Sequence, residues 1–197
     1  MREQTPLAVI HDAVLQFLRE RDDAVLFGAQ AVNAYVGDPR MSQDIDLVST
    51  RAAELAQELR DHLSEQFHIA IRVRIIGDGK GYRLFQILKP RNRHLVDLRM
   101  AKSLPPAQRI EGVLVTSPPD LIAQKVISYH SRRGQPKAGT DWRDVAMLLL
   151  TFPELKQIHG PVVEALKSNG AKEDVMQTWS DLVAQELVLP DDDAEFE

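Results

Sequence analysis

The chain changes character at Pro118-Pro119, and no other feature constrains its fold as much. Before that point it consists largely of short segments with period-two patterning. In "HIAIRVRIIG", Ile71, Val73 and Ile75 alternate with Arg72 and Arg74, as in a strand with one face toward a core. "YRLFQILK" and "HLVDLRM" read as two more strands, with "GDGKG" as the turn before them, and "GVLVTS" as a last short one. Upstream, "AVLFG" and "SQDIDLVS" are expected strands. Helices are expected from Thr5-Pro6, with Thr5 as cap, to about Arg21, from about Ala29 to Val36, and from Arg51 to about Phe67. From Asp120 almost to Leu189 the pattern is helical. The expected fold class is α+β. A small mixed sheet flanked by helices occupies residues 1–116, a helical bundle packing on it 117–189, and an acidic tail, expected to be disordered, 190–197. No flexible linker separates the halves, so a crevice between them is the natural place for a ligand.

Charge is distributed unevenly. Five of the 29 acidic residues lie in "DDDAEFE" at the end, and the other 24 match the 24 Lys and Arg. Between Arg72 and Arg109 ten Lys/Arg face two Asp, a cationic stretch suited to a polyanionic ligand such as RNA, or simply a set of solvated strand faces. There are no cysteines, which excludes disulfides and thiolate metal sites and fits a cytoplasmic setting. The N-terminal segment lacks the apolar core of a leader peptide, and no apolar run is long enough to span a membrane, so no membrane partner is expected.

"SQDIDLVS" poses the chemical question. In a strand Asp44 and Asp46 share one face while Ile45 and Leu47 anchor the other. Two carboxylates so close repel, and a hard divalent cation between them, Mg²⁺ in the usual case or Mn²⁺, removes the conflict. "HLVDLR" offers a third carboxylate, Asp97, in the same aliphatic setting. The plain alternative for a bare Asp-x-Asp is surface salt bridges to Arg40 or to strand arginines. Phe27-Gly28-Ala29 adds weight to the first reading, because a strand turning through Gly directly into a helix exposes N–H groups suited to phosphate. "GDGKG" lacks the spacing of a phosphate loop, and the six histidines show no ligand spacing, His130 near "HSRRGQPK" being the one worth watching.

These residues resemble the nucleotidyltransferase superfamily that includes DNA polymerase beta, whose signature is a hydrophobic residue, Gly-Gly or Gly-Ser, a spacer and Asp-x-Asp/Glu. The chain is most similar to the AbiEii type, toxins of abortive-infection and toxin–antitoxin pairs, through Arg40-Met41-Ser42-Gln43-Asp44-Ile45-Asp46. Lys125 in "LIAQKVIS", the basic Arg132, Arg133 and Lys137, and then Asp141-Trp142-Arg143-Asp144 follow in the order that type carries, so the resemblance spans about residues 25–150. It implies an NTP- and metal-dependent transferase in which Asp44, Asp46 and Asp97 hold metal and act with Lys125 in catalysis. Gly28, Ala29, Gln30, Arg40, Ser42, Lys137, Asp141 and Asp144 would contact the nucleotide. Ala29 departs from the family's Gly or Ser and offers no hydroxyl, a loss Gln30 would have to cover.

The implied acceptor is RNA, a tRNA end foremost, and a cognate antitoxin is the implied partner. Protein or small-molecule (antibiotic-like) acceptors, or a non-catalytic nucleotide-binding member of the fold, are the alternatives. Simpler readings stand beside the individual roles. Arg40 is either a phosphate contact or a structural salt bridge to Asp44 or Asp46. Lys125 is either a site lysine or a surface lysine with a buried stem. Asp141 and Asp144, neighbours on one helical face, either orient Lys125 or Lys137 or, for Asp141, merely favour a helix start. Trp142 either stacks on a base or, the favoured reading, fills core between the halves.

Overall fold

The computed structural model describes residues 5–188, and the acidic tail of the expectation lies outside the described residues. The described residues form two compact units: 5–34 with 38–117, and 35–37 with 118–188.

The first unit is built on a seven-stranded mixed sheet. In chain order its strands are β1 (Ala24–Phe27), β2 (Ile45–Ser49), β3 (Ile71–Ile76), β4 (Gly81–Gln86), β5 (Arg93–Met100), β6 (Ala107–Ile110) and β7 (Val113–Thr116), and in space they run β3-β4-β5-β2-β1-β7-β6. β2 is parallel to β5 and β1 to β7, and the other neighbours are antiparallel. Helices α1 (Leu7–Leu18) and α3 (Ala52–Phe67) bury Ile10, Val14 and Leu18, and Leu55, Leu59 and Leu63, the apolar stripes their 3.6-residue period lays down. Pro6, not Thr5, takes the cap position of α1, with no side-chain cap bond. α2 is shorter than expected, Gly28–Asn33. β6 was not legible in the sequence, because as an edge strand it exposes three of its four residues and shows no alternation. The opposite edge explains another departure: Ile75, expected to face the core on β3, is 63% exposed.

The second unit is helical: α4 (Pro118–Ser131), α5 (Pro136–Thr151), a 3-10 turn at Pro153–Leu155, α6 (Pro161–Ser168) and α7 (Glu173–Ala184). Its core includes Leu121, Ile122, Val126, Leu148, Leu166 and Trp179. Trp142, favoured as a core residue, is instead 38% exposed and donates from Nε1 to Gln185. No helix among the described residues is long and apolar enough to cross a membrane.

Candidate active site

The aliphatic residues of β2 and β5 are the reason the carboxylates converge. Ile45 and Leu47 on β2, and Val96 and Leu98 on β5, are fully buried. Alternation therefore turns Asp46 and Asp97 to the other face, and the parallel register sets them directly opposite each other. The register continues on both sides: Phe27, Asp46, Asp97, Arg83 and Arg74 form one row across β1, β2, β5, β4 and β3. Asp44 stands just before β2, where Ser42 Oγ donates to its carbonyl at 2.7 Å.

Three features of this row were not foreseen. Arg83 clamps Asp97 with two charge-assisted bonds, Nε to Oδ1 at 2.7 Å and Nη2 to Oδ2 at 3.0 Å. His94 bridges the carboxylates, with Nδ1 3.0 Å from Asp44 Oδ2 and Nε2 3.0 Å from Asp97 Oδ1. Its ring stacks on Phe85 at 5.0 Å. Strict alternation places His94 on the opposite face from Asp97, three residues away. A register shift opposite Leu84/Phe85 reverses that parity: Leu84 pairs with Val96 and Phe85 with His94, leaving Leu95 as the extra residue of a bulge. Single-sequence alternation cannot reveal such a bulge.

The hydrogen bonds to Asp44 and then Asp97 outweigh burial and push the His94 imidazole up to about 9, so at neutral pH both ring N–H groups donate. Burial raises the Asp97 carboxyl, but the bonds from His94 and Arg83 together hold it below its ordinary value. Arg83 is raised, first by its bond to Asp97, with Asp44 and Asp46 contributing through charge, so all three carboxylates act on one guanidinium. One ligand atom from each of Asp44, His94 and Asp97 lies within 4.8 Å of the others, a donor set that fits a divalent cation.

Gly28 is needed for two reasons. Its φ is +72°, and a Cβ there would lie 2.0 Å from Asp46 Oδ2, so only glycine lets the turn into α2 press against this carboxylate. Ala29 is buried. Gln30 Oε1 accepts from Asn33 at 3.3 Å, and its Nε2 lies 3.5 Å from Nδ1 of buried His11. Asn33 grips the backbone of Arg40, donating from Nδ2 to the Arg40 carbonyl at 2.8 Å and accepting from the Arg40 N–H at 3.0 Å. The Arg40 guanidinium donates to the Met41 carbonyl at 3.3 Å. The segment from Arg40 to Asp44 is thus held at both ends, by Asn33 and by Ser42.

The helical unit holds the remaining candidates. Lys125 is 7% exposed, with Nζ 2.6 Å from Asp144 Oδ2 and 3.8 Å from Asp141 Oδ1, while Arg132 Nη1 reaches Asp141 Oδ2 at 2.7 Å. Lys125 is therefore not a surface lysine, and Asp141 is not a helix-start residue but a buried one inside α5. Lys137 is exposed on α5 and makes no ion pair with either aspartate. His130 bonds Thr178 at 2.7 Å and Asp174 at 3.2 Å, linking α4 to α7.

Comparison with known proteins follows the same line. No curated protein matches the sequence. Among solved structures, the JHP933 protein of Helicobacter pylori superposes with a TM-score of 0.57 at 15% identity, covering 92% of this chain and 90% of that one. The Megavirus polyadenylate synthase gives 0.59 at 15% identity over 75% of this chain, which spans about a third of the viral protein (32%). ANT(2'')-Ia, solved with adenylyl-2''-tobramycin, gives 0.51 at 16% identity, covering 84% and 98%. At these identities the likeness is one of fold. The model of the nucleotidyl transferase AbiEii toxin family, type IV toxin–antitoxin system, matches residues 12–196. With the carboxylate row, the glycine turn and this match over nearly its whole length, the chain belongs to the AbiEii nucleotidyltransferase family.

Proposed function

We propose that this nucleotidyltransferase moves a nucleoside monophosphate from an NTP to a hydroxyl of an RNA acceptor, a tRNA end foremost, with pyrophosphate as the leaving group, and acts as a toxin restrained by a cognate antitoxin. The observation that carries the reading is the register row. Its carboxylates Asp46 and Asp97 lie on central strands, and Arg83 and exposed Arg74 continue the row to the β3 edge, with Arg72 exposed beside Arg74. A polyanion lying along this face meets cations at the edge and carboxylates at the centre.

Asp44, Asp46 and Asp97 hold a divalent cation in this reading, Mg²⁺ or Mn²⁺, which when bound neutralises charge on the transferred phosphate and acidifies the attacking hydroxyl. The chain's own residues do the rest. Asp97, whose oxygens Arg83 and His94 orient, takes the acceptor proton. Gly28 and Ala29 supply backbone N–H groups to the β- and γ-phosphates. Arg40, its backbone fixed by Asn33, contacts the nucleotide in this reading. Ser42 shapes the loop beside the nucleotide through its bond to the Asp44 carbonyl. Lys125, oriented by Asp141 and Asp144, acts with the carboxylates in this reading, and the two aspartates help to place the nucleotide.

The test is transfer of label from each of the four α-labelled NTPs to total RNA, with Mg²⁺ or Mn²⁺ present. Label entering a tRNA-sized band, and lost in Asp46→Asn, is the expected result. Label appearing on the protein or on an aminoglycoside instead would move the acceptor to another class. No transfer from any NTP would overturn the reading.

A further inference from the structure

We propose that His94 is itself a ligand of the catalytic cation and directs the site toward Mn²⁺ in preference to Mg²⁺. The proposal rests on the reading that Asp44 and Asp97 hold that cation.

Three independent features of the fold deliver this imidazole. The bulge at Leu95 reverses strand parity, so His94 shares a face with Asp97 that ordinary alternation would deny it. Such irregularities re-aim side chains at functional sites. Phe85, its cross-strand partner, stacks on the ring with 29° between the planes and limits its rotation. Arg83 then grips both oxygens of Asp97 from β4 and orients the carboxylate.

The donor geometry follows from those supports. Each ring nitrogen is 3.0 Å from a carboxylate oxygen, Nδ1 from Asp44 and Nε2 from Asp97. A cation that takes one nitrogen, whose proton passes to solvent, is joined by the carboxylate beside that nitrogen, and the other N–H stays bonded to the second carboxylate. That is the carboxylate–histidine–metal arrangement, which fixes ring orientation and strengthens the nitrogen as a donor. The nitrogen and the carboxylate oxygen beside it, 3.0 Å apart, already stand at the separation of two adjacent ligands with bonds of about 2.0–2.2 Å.

Ligand chemistry sets the preference. Mg²⁺ favours oxygen ligands and retains its waters, whereas Mn²⁺ and later divalent ions accept imidazole readily. A site of carboxylates alone discriminates weakly between Mg²⁺ and Mn²⁺, and one nitrogen tips it.

The decisive measurement is pulsed EPR on the full-length protein with Mn²⁺ and no nucleotide. The wild type is expected to show coupling to a directly bound ¹⁴N, replaced by the ¹⁵N pattern when the protein is made with ¹⁵N-histidine, a control that needs no mutation. His94→Gln is expected to lose the coupling, to weaken Mn²⁺ about tenfold and to leave Mg²⁺ within about threefold in calorimetric titration. Bound Mn²⁺ without nitrogen coupling overturns the proposal. So does coupling that persists in His94→Gln, which would assign the nitrogen to another imidazole such as His11, whose charge is also coupled to Asp44. An equal loss for both metals overturns it as well. Transfer supported equally by either metal, with no coupling, removes His94 from the ligand set and leaves the transferase reading standing. Nitrogen-bound Mn²⁺ with no NTP transferred to any acceptor does the reverse.

Discussion

Two clusters of acids and bases, one in each unit, look alike in the sequence and differ in what surrounds them. The sheet cluster comprises Asp44, Asp46 and Asp97 with Arg83 and His94, all part-exposed, with three acids against two bases. The helical cluster comprises Lys125, Arg132, Asp141 and Asp144, with Lys125 and both aspartates buried and two charges of each sign. In the sequestered set the acids and bases pair with one another between α4 and α5. An unbalanced set open on one side retains a net negative charge that a cation can answer. The Asp-x-Asp of a strand and the Asp-x-x-Asp of a helix each place two carboxylates on one face, so the motif alone does not separate the roles.

The largest effect expected from this contrast is on stability. Asp144→Ala leaves the Lys125 ammonium buried beside a more distant Asp141, and the loss should be about 3–5 kcal/mol in denaturant unfolding. The double change Lys125→Met with Asp144→Leu should recover most of it. Asp97→Ala, whose partner Arg83 reaches water, should cost under about 1 kcal/mol. Equal losses in the two clusters would break the contrast.

Gly28→Ala comes next. The strain of a left-handed alanine, about 1–2 kcal/mol, adds to the collision with Asp46. Cation binding should fall far more than stability does, because the carboxylate must move. If Mn²⁺ affinity is unchanged in this variant, Asp46 lies outside the site.

Stability in the absence of metal should also depend on pH through the sheet cluster. The folded-state pKa of His94, about 9, lies above its ordinary 6.5, so its contribution is complete below about pH 6.5 and is lost as pH rises through about 9. Melting temperatures in chelator between pH 6 and 9.5 should decline across that window, and His94→Gln should flatten the decline. A decline unaffected by the substitution would place the titrating group elsewhere.

The smallest effect concerns RNA. Arg83 is committed to Asp97 and Arg93 donates to the Thr5 carbonyl at 2.8 Å, while Arg72 and Arg74 are exposed on the edge strand. Replacing Arg72 and Arg74 together with Gln should lower the slope of log affinity against log salt by about 1.4, two phosphate contacts on single-stranded RNA. No change in slope would remove this face from the acceptor path.

What the sequence by itself determined is whatever depends on local period and on side-chain identity. The switch from two-residue to helical patterning at Pro118-Pro119 marked the change from sheet to helices, and Ile45, Leu47, Val96 and Leu98 revealed which side of each strand the aspartates would take. The glycine at position 28 was legible as a turn, though its contact with Asp46 was not. Tertiary structure decided the rest. His94 reached the carboxylates only because a bulge against β4 shifted the parity of β5, and that shift is set by a partner strand rather than by neighbours in the chain. Lys125 and Asp141 became interior because α4 and α5 face each other, while Trp142, the next residue along α5, points to solvent. Burial and pairing are properties of the space between elements, and a periodic pattern within one element cannot encode which element will lie opposite it.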